Sequence, residues 1–332
     1  MRIAILGPLD AQWGGVQHVL HTLRDVFLTE GHKVDLIDPY AKNQGWLSKK
    51  APFRAALSLL IRYSESLKQK YDLVICNGEY AFGVSHPRCI NLFHGSYFGY
   101  RKNLHDFLTT KQQVSLKIMS FVQRFGAKEK RVVAVSEYTR RHLKDQGIDV
   151  DRVIYNGVDT DLFRPLKGSA KNDRLLAVGR YDYYGKGFDI LEGLCSRGLK
   201  VECVTDIDPG PAIQKLDVTS LVQLVQVYNE HRILVHPSRF EGFGLVPLEA
   251  MACGIPILMG NVGVGIDIKK KLPEFVVETE GRNAADAYAE RIRLLLDSYD
   301  RYPSVCRQFV IDNFNVGKFK EEWTSLVNNM LE

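Results

Sequence analysis

The sequence predicts an α/β protein made of two doubly wound parallel-sheet domains facing a central cleft. Three observations carry that expectation. Short β-branched runs alternate with helix-length amphipathic segments, as parallel sheets with crossover helices require. The alternation pauses at the Pro/Gly/Lys-rich stretch Arg164-Pro165-Leu166-Lys167-Gly168-Ser169 and then restarts. The length of 332 residues suits two domains of roughly 150 residues each.

Taken in order, the first series places strands at Arg2–Leu6, Lys33–Ile37, Tyr71–Cys76, Arg88–Phe93, Arg131–Val135 and Arg152–Tyr155, with helices near 16–30, 51–70, 103–126 and 137–146. The second places strands at Arg174–Val178, Lys200–Thr205, Ser220–Val225, Ile233–His236, Ile255–Met259 and Phe275–Glu278. Its helices fall near 187–196, 244–253, 264–271 and 281–298. The last 30 residues read as helical, with no strand candidate. The domains are therefore expected at 1–165 and 166–314, and ligands belong at the carboxyl edges of such sheets.

Composition narrows the class. A hydrophobic share of 45% is too high for a disordered chain, and 27 Gly with 12 Pro fall short of a collagen-like or low-complexity one. No window approaches about 20 uncharged apolar residues, and Met1-Arg2 leads straight into a strand, so a cytoplasmic chain is expected. The six cysteines stand singly in apolar stretches without Cys-x-x-Cys pairs. They read as buried small apolar residues rather than a disulfide framework or zinc site. The net charge of +5 is uneven: residues 1–164 hold 24 basic and 16 acidic side chains, and the remainder 20 and 23. The basic excess concentrates in 41–70 and 99–131, which also carry aromatic residues. No nucleic-acid module accompanies it, so nucleic-acid binding is not expected.

The most informative string runs from His236-Pro237-Ser238 through Glu241-Gly242-Phe243-Gly244-Leu245 to Glu249 and Gly254-Ile255-Pro256. A strand ends near His236, a glycine-containing loop carries Glu241, and Gly254 stops the helix that follows. The amides of Gly242, Phe243, Gly244 and Leu245 then lie at a helix N-terminus, an anion site flanked by two separated carboxylates. That layout suits a central phosphate with hydroxyl-bearing groups at both ends, which is the layout of a nucleotide sugar. In Gly179-Arg180 and Lys186-Gly187, a strand end and a helix start bring two cations towards one point, where they would neutralise a diphosphate. Gly14-Gly15, in a first βα turn that is not the dinucleotide fingerprint, lets backbone approach a ligand, and His94 follows a strand.

The string resembles the E-x7-E signature of retaining GT-B glycosyltransferases of family 4, with Glu241 and Glu249 on the two glutamates. The resemblance implies that Glu241 contacts the donor sugar beside the reacting carbon, that Gly242, Phe243, Gly244 and Leu245 hold the sugar and distal phosphate, and that Glu249 binds the ribose hydroxyls. It likewise implies pyrophosphate contacts for Arg180 and Lys186, donor-phosphate or acceptor contacts for Gly14 and Gly15, and sugar or acceptor contacts for His94. The implied catalytic set is Glu241, His94, Arg180 and Lys186. The terminal helix, about 315–332, is expected to return to the first domain. Asp159-x-Asp161 and Asp206-x-Asp208 look like metal motifs but read as decoys beside two cations. No essential metal and no cofactor are expected, and Ser136 reads as a helix N-cap.

The reading is retaining transfer from a nucleoside diphosphate sugar, UDP favoured over GDP, to a glycan, lipid-linked or small-molecule acceptor hydroxyl in cell-surface glycan, glycolipid or glycoconjugate synthesis. The base stays open, because Val204-Thr205-Asp206 stands where the family commonly has a glycine-rich turn. The basic segments fit an anionic acceptor or the inner face of an anionic membrane, and equally well ordinary solvated helix faces. A non-catalytic nucleotide-sugar-binding protein and a sugar-nucleotide epimerase are the alternatives.

Overall fold

The computed structural model describes residues 1–9, 14–38, 64–279 and 283–330. It divides into two compact units, Met1–Tyr155 with Lys320–Glu332, and Asn156–Phe319.

The first unit is built on a parallel sheet of β1 (Arg2–Leu6), β2 (Lys33–Ile37), β3 (Leu73–Asn77), β4 (Cys89–Phe93), β5 (Arg131–Ala134) and β6 (Arg152–Val153), in the order β2-β1-β3-β4-β5-β6. All five residues of β3 and of β4 are buried, as continuous apolar strands covered on both faces should be. Its helices are α1 (Gly15–Thr29), α2 (Ser64–Lys70), α3 (Tyr97–Asn103), α4 (Thr110–Ala127) and α5 (Glu137–Asp145). The helix expected from 103 starts only at Thr110, where Thr109 and Gln112 form a capping box, and Tyr97–Asn103 is a separate helix before it. Of the helix expected at 51–70, only Ser64–Lys70 lies within the described residues. Ser136 caps α5, its Oγ accepting from Thr139 N at 3.0 Å. Near the terminus, Trp323 packs edge-on to Phe27 at 6.3 Å, and Lys320 and Glu322 pair with Glu30 and Arg152.

The second unit carries β7 (Asn172–Val178), β8 (Val201–Val204), β9 (Gln214–Lys215), β10 (His231–His236), β11 (Ile257–Gly260) and β12 (Val276–Val277), all parallel, in the order β12-β11-β10-β7-β8-β9. Helices α6 (Phe188–Cys195), α7 (Leu221–Glu230), α8 (Leu245–Ala252), α9 (Gly265–Lys271), α10 (Ala284–Asp297) and α11 (Tyr302–Phe314) surround it, and α12 (Val316–Asn329) begins within it.

Two expectations are corrected here. Ser220–Val225 is not a strand: Ser220 Oγ caps α7 by accepting from Gln223 N, and the buried residues Leu224, Val225, Tyr228 and Asn229 follow helical spacing. The strand beside β8 is the two-residue Gln214–Lys215, too short to leave a periodic signal. Residues 156–165 belong to the second unit, so its first residue is Asn156, not 166. The Arg307 guanidinium fixes this stretch by donating to Thr160 O at 3.1 Å and Phe163 O at 3.0 Å, and the buried Phe163 ring meets Tyr228.

Candidate active site

In the second unit, the chain leaves the carboxyl ends of β7 and β10 into loops that are tied to each other. Arg239 forms a two-pronged ion pair with Asp189, with N···O distances of 2.7 Å and 2.7 Å, and donates to Tyr184 O at 2.7 Å. Its own amide donates to Gly185 O at 2.9 Å. Glycine at 187 permits so close an approach, and glycine at 185 lets its loop fold on itself. A Cβ on Gly187, whose φ is +74°, would lie 2.4 Å from Pro237 O, and one on Gly185 would meet the Asp182 carboxylate. The approach delivers Lys186 to Glu241, Nζ donating to Oε1 at 2.5 Å.

The same Oε1 lies 2.7 Å from His236 Nε2, which is therefore the protonated nitrogen, and Ser238 Oγ is 3.2 Å from that nitrogen. Burial pushes the Glu241 carboxyl up, but the Lys186 ammonium and the His236 imidazole outweigh it and hold the acid well below the usual carboxylate range. Glu241 is thus a carboxylate. A pocket beside this group is lined by Val178, Gly179, Lys186, His236 and Ser238.

Beyond Glu241 the backbone turns into α8 through Gly244 at φ +100°. Gly263, at φ +55°, packs beneath the turn, where a Cβ would come within 2.8 Å of Glu241 Cβ and 2.3 Å of Phe243 O. Phe243 is buried, and its carbonyl accepts from Val264 N at 2.6 Å. The amides of Gly244 and Leu245 have no hydrogen-bond partner among the described residues and lie at the positive end of α8. Gly242 precedes them in the same loop. Further along α8, Glu249 accepts from Tyr228 Oη at 3.0 Å. Burial raises its acid to about 7, against a smaller opposing effect of the tyrosine hydroxyl.

Arg180 makes no bond to this group among the described residues. It stands exposed after Gly179 and makes no hydrogen bond or ion pair among the described residues, with Asp206 as a neighbouring charge. Asp206 accepts from Tyr181 N, Asp208 from Gly210 N, and Asp159 from Asp161 N and Leu162 N, so each serves a turn. Among the described residues no group of three acidic, histidine or cysteine side chains could hold a metal ion.

In the first unit, Gly14 caps α1 in extended conformation and Gly15 opens it with nothing within 4 Å of where a Cβ would lie; residues 10–13 of this turn lie outside the described residues. His94 follows β4 directly. Its Nε2 is buried without a hydrogen-bond partner among the described residues, and burial lowers the imidazole to about 4, so the ring is neutral near pH 7. Sequence reasoning missed three partners: His236 on Glu241, Tyr228 on Glu249, and the Arg239–Asp189 tie. Each is a contact between side chains whose meeting spacing alone does not show.

Residues 13–162 match the model of Glycosyltransferase Family 4, and residues 215–309 match that of Glycosyl transferases group 1. A relative from Klebsiella pneumoniae, an uncharacterised 41.2 kDa protein in the cps region, is 24% identical over 91% of this chain and 92% of its own. Among solved structures, sucrose-phosphate synthase from Thermosynechococcus elongatus superposes with a TM-score of 0.84 at 17% identity, covering 99% of each chain. Anabaena HepE in complex with UDP-glucose does so with a TM-score of 0.70 at 16% identity, covering 99% of this chain and 100% of its own. Both structural likenesses speak to the fold. With the two family matches, one on each side of the chain, and two parallel six-stranded sheets of GT-B type, the chain belongs to the family 4, group 1 glycosyltransferases.

Proposed function

We propose that the protein transfers a sugar, with retention at the anomeric carbon, from a nucleoside diphosphate sugar to an acceptor hydroxyl, and that the second unit binds the donor. The observation that carries the reading is an ammonium and a carboxylate on two tied loops, unpartnered amides at the start of α8, and a second carboxylate further along that helix. Lys186 and the amides of Gly244 and Leu245 receive the diphosphate, with Gly242 and Phe243 in the same loop, and the exposed Arg180 swings onto it. Glu249 accepts from the ribose hydroxyls. Glu241 stays anionic beside the sugar, where it steadies the positive charge of an oxocarbenium-like transition state.

The bond from the anomeric carbon to the phosphate oxygen breaks first. The departing oxygen takes the acceptor's proton, and the acceptor oxygen bonds on the face that the phosphate left. No covalent glycosyl-enzyme is needed, unlike in retaining glycosidases. Because Lys186, Arg180 and helix amides supply the positive charge, the proposal requires no divalent ion. UDP-sugar is the favoured donor, in keeping with the UDP-glucose bound to HepE. On the acceptor side we assign Gly14, Gly15 and the neutral His94.

An anionic membrane surface is the proposed setting for the acceptor. On α4, Val114, Ile118, Phe121 and Phe125 are 51%, 51%, 55% and 42% exposed and form one stripe at helical spacing. Lys111, Lys117 and Arg124 are also exposed, and the helix carries no acidic residue, which is the pattern of a helix lying in a lipid interface.

A thermal-shift screen of UDP-, GDP- and ADP-sugars, followed by donor hydrolysis and transfer assays with and without EDTA, tests the enzyme. Glu241→Ala and Lys186→Ala are each expected to abolish turnover in a folded protein, with EDTA harmless to the wild type. Full activity in both variants sinks the proposal. Nucleotide-sugar binding without turnover across acceptors favours the sensor instead, and product formed without an acceptor favours an epimerase.

A further inference from the structure

The Glu241 carboxylate is held on one side only. Both of its described partners, Lys186 Nζ at 2.5 Å and His236 Nε2 at 2.7 Å, bond to Oε1. Oε2 accepts no hydrogen bond among the described residues, yet it is not among the sealed, unpartnered polar atoms, so it remains accessible. The two holders differ in freedom. The Lys186 side chain is 30% exposed on a flexible stem, whereas the His236 side chain is 5% exposed at the end of the central strand β10. Gly263 supports the same glutamate from beneath, at its Cβ.

Once a diphosphate enters, Lys186 has a second and more strongly charged partner. A carboxylate that depended on Lys186 alone would then be free to rotate. We propose that His236 is a positioning residue: it grips Glu241 through Oε1 so that Oε2 stays turned towards the donor sugar while Lys186 moves its ammonium to the diphosphate. An N–H at Nε2 suffices for this grip, and Glu241 keeps its negative charge for the reacting carbon. His236 acts through Glu241 and need not touch the donor. The inference rests on the transferase reading given above and adds a residue to it.

The test separates the sugar from the nucleotide. Calorimetry with UDP and with UDP-glucose, on the full chain, gives the affinity that the sugar adds. In His236→Leu that added affinity should vanish while UDP binds within about twofold of wild type, and kcat for donor hydrolysis or transfer should fall by about 10- to 100-fold, the loss of one hydrogen bond to a charged group. His236→Gln keeps an N–H donor and should recover at least about tenfold of kcat.

Three outcomes overturn the inference. One is a His236→Leu protein with wild-type kcat and wild-type preference for UDP-glucose over UDP. Another is His236→Gln as impaired as His236→Leu while both bind UDP normally. The third is loss of UDP binding in both variants, which would mark His236 as a structural support. Failure of the wild type to bind any of UDP-, GDP- and ADP-glucose removes the transferase reading itself, and with it this inference; wild-type turnover alongside any of the three outcomes removes this inference alone.

Discussion

Glu249 shows how far one side chain's surroundings set its chemistry. Burial keeps its proton on until about pH 7, although Tyr228 donates to it. Only the carboxylate can accept from two ribose hydroxyls with full charge. UDP-glucose affinity should therefore rise several-fold between pH 6 and pH 8, and Glu249→Gln should flatten that dependence, as calorimetry would read; UDP-glucose serves because its diphosphate does not titrate there. Stability runs the other way. The folded state retains a proton that the unfolded chain has released, so this carboxyl stabilises the fold below the usual carboxylate range and loses that contribution as pH rises to about 7. Both glutamates were singled out in the sequence because their types and spacing are restrictive. The hold of His236 on Glu241 was not, since it depends on how a ring at the end of β10 turns back across a loop. Arg180 makes no hydrogen bond or ion pair among the described residues, and its place on the diphosphate belongs to the proposed function.

At the level of elements, the loop before α6 and the loop after β10 work as one device. Gly187 stands in left-handed backbone against Pro237 O, so Gly187→Ala should cost about 1–3 kcal/mol from backbone strain alone, and more from the clash. Thermal unfolding should move down by several degrees, and transfer should fall with it, because the substitution pushes Lys186 off Glu241. Helix α4 carries a different prediction. Phe121→Ser with Phe125→Ser should sharply reduce flotation with phosphatidylglycerol vesicles and leave hydrolysis of a soluble donor unchanged; equal flotation of the double variant and wild type would count against the membrane setting. Most strands and helices were legible, since a buried parallel strand and an amphipathic helix have distinct periods. Helix α7 was not. Its β-branched run Val222, Val225 and Val227 mimics a strand, and the cap at Ser220 decides the matter only once Gln223 folds back on it.

Across the whole molecule, the first unit takes residues from both ends of the chain, and Trp323 is its largest fully buried side chain among the described residues. Trp323→Ala should cost about 3–5 kcal/mol. Chemical denaturation would show it as an early transition, with nucleotide binding retained until the second unit melts. The division itself was legible from the restart of the strand rhythm, but its position was not, because Arg307 reaches from α11 to residues some 150 positions away, a tie with no local trace. The cysteines have a use that follows from the same division. All six are free, and five are buried, with burial pushing Cys203 up to about 11 and Cys253 up to about 12. Such thiols react with an alkylating reagent only when their surroundings open. Cys76 and Cys89 lie in one unit and Cys203, Cys253 and Cys306 in the other, so the chain carries its own two-channel clock of opening. A ligand that slows alkylation of the later three and leaves the earlier pair alone would name the unit it binds, without any added label or assay of turnover.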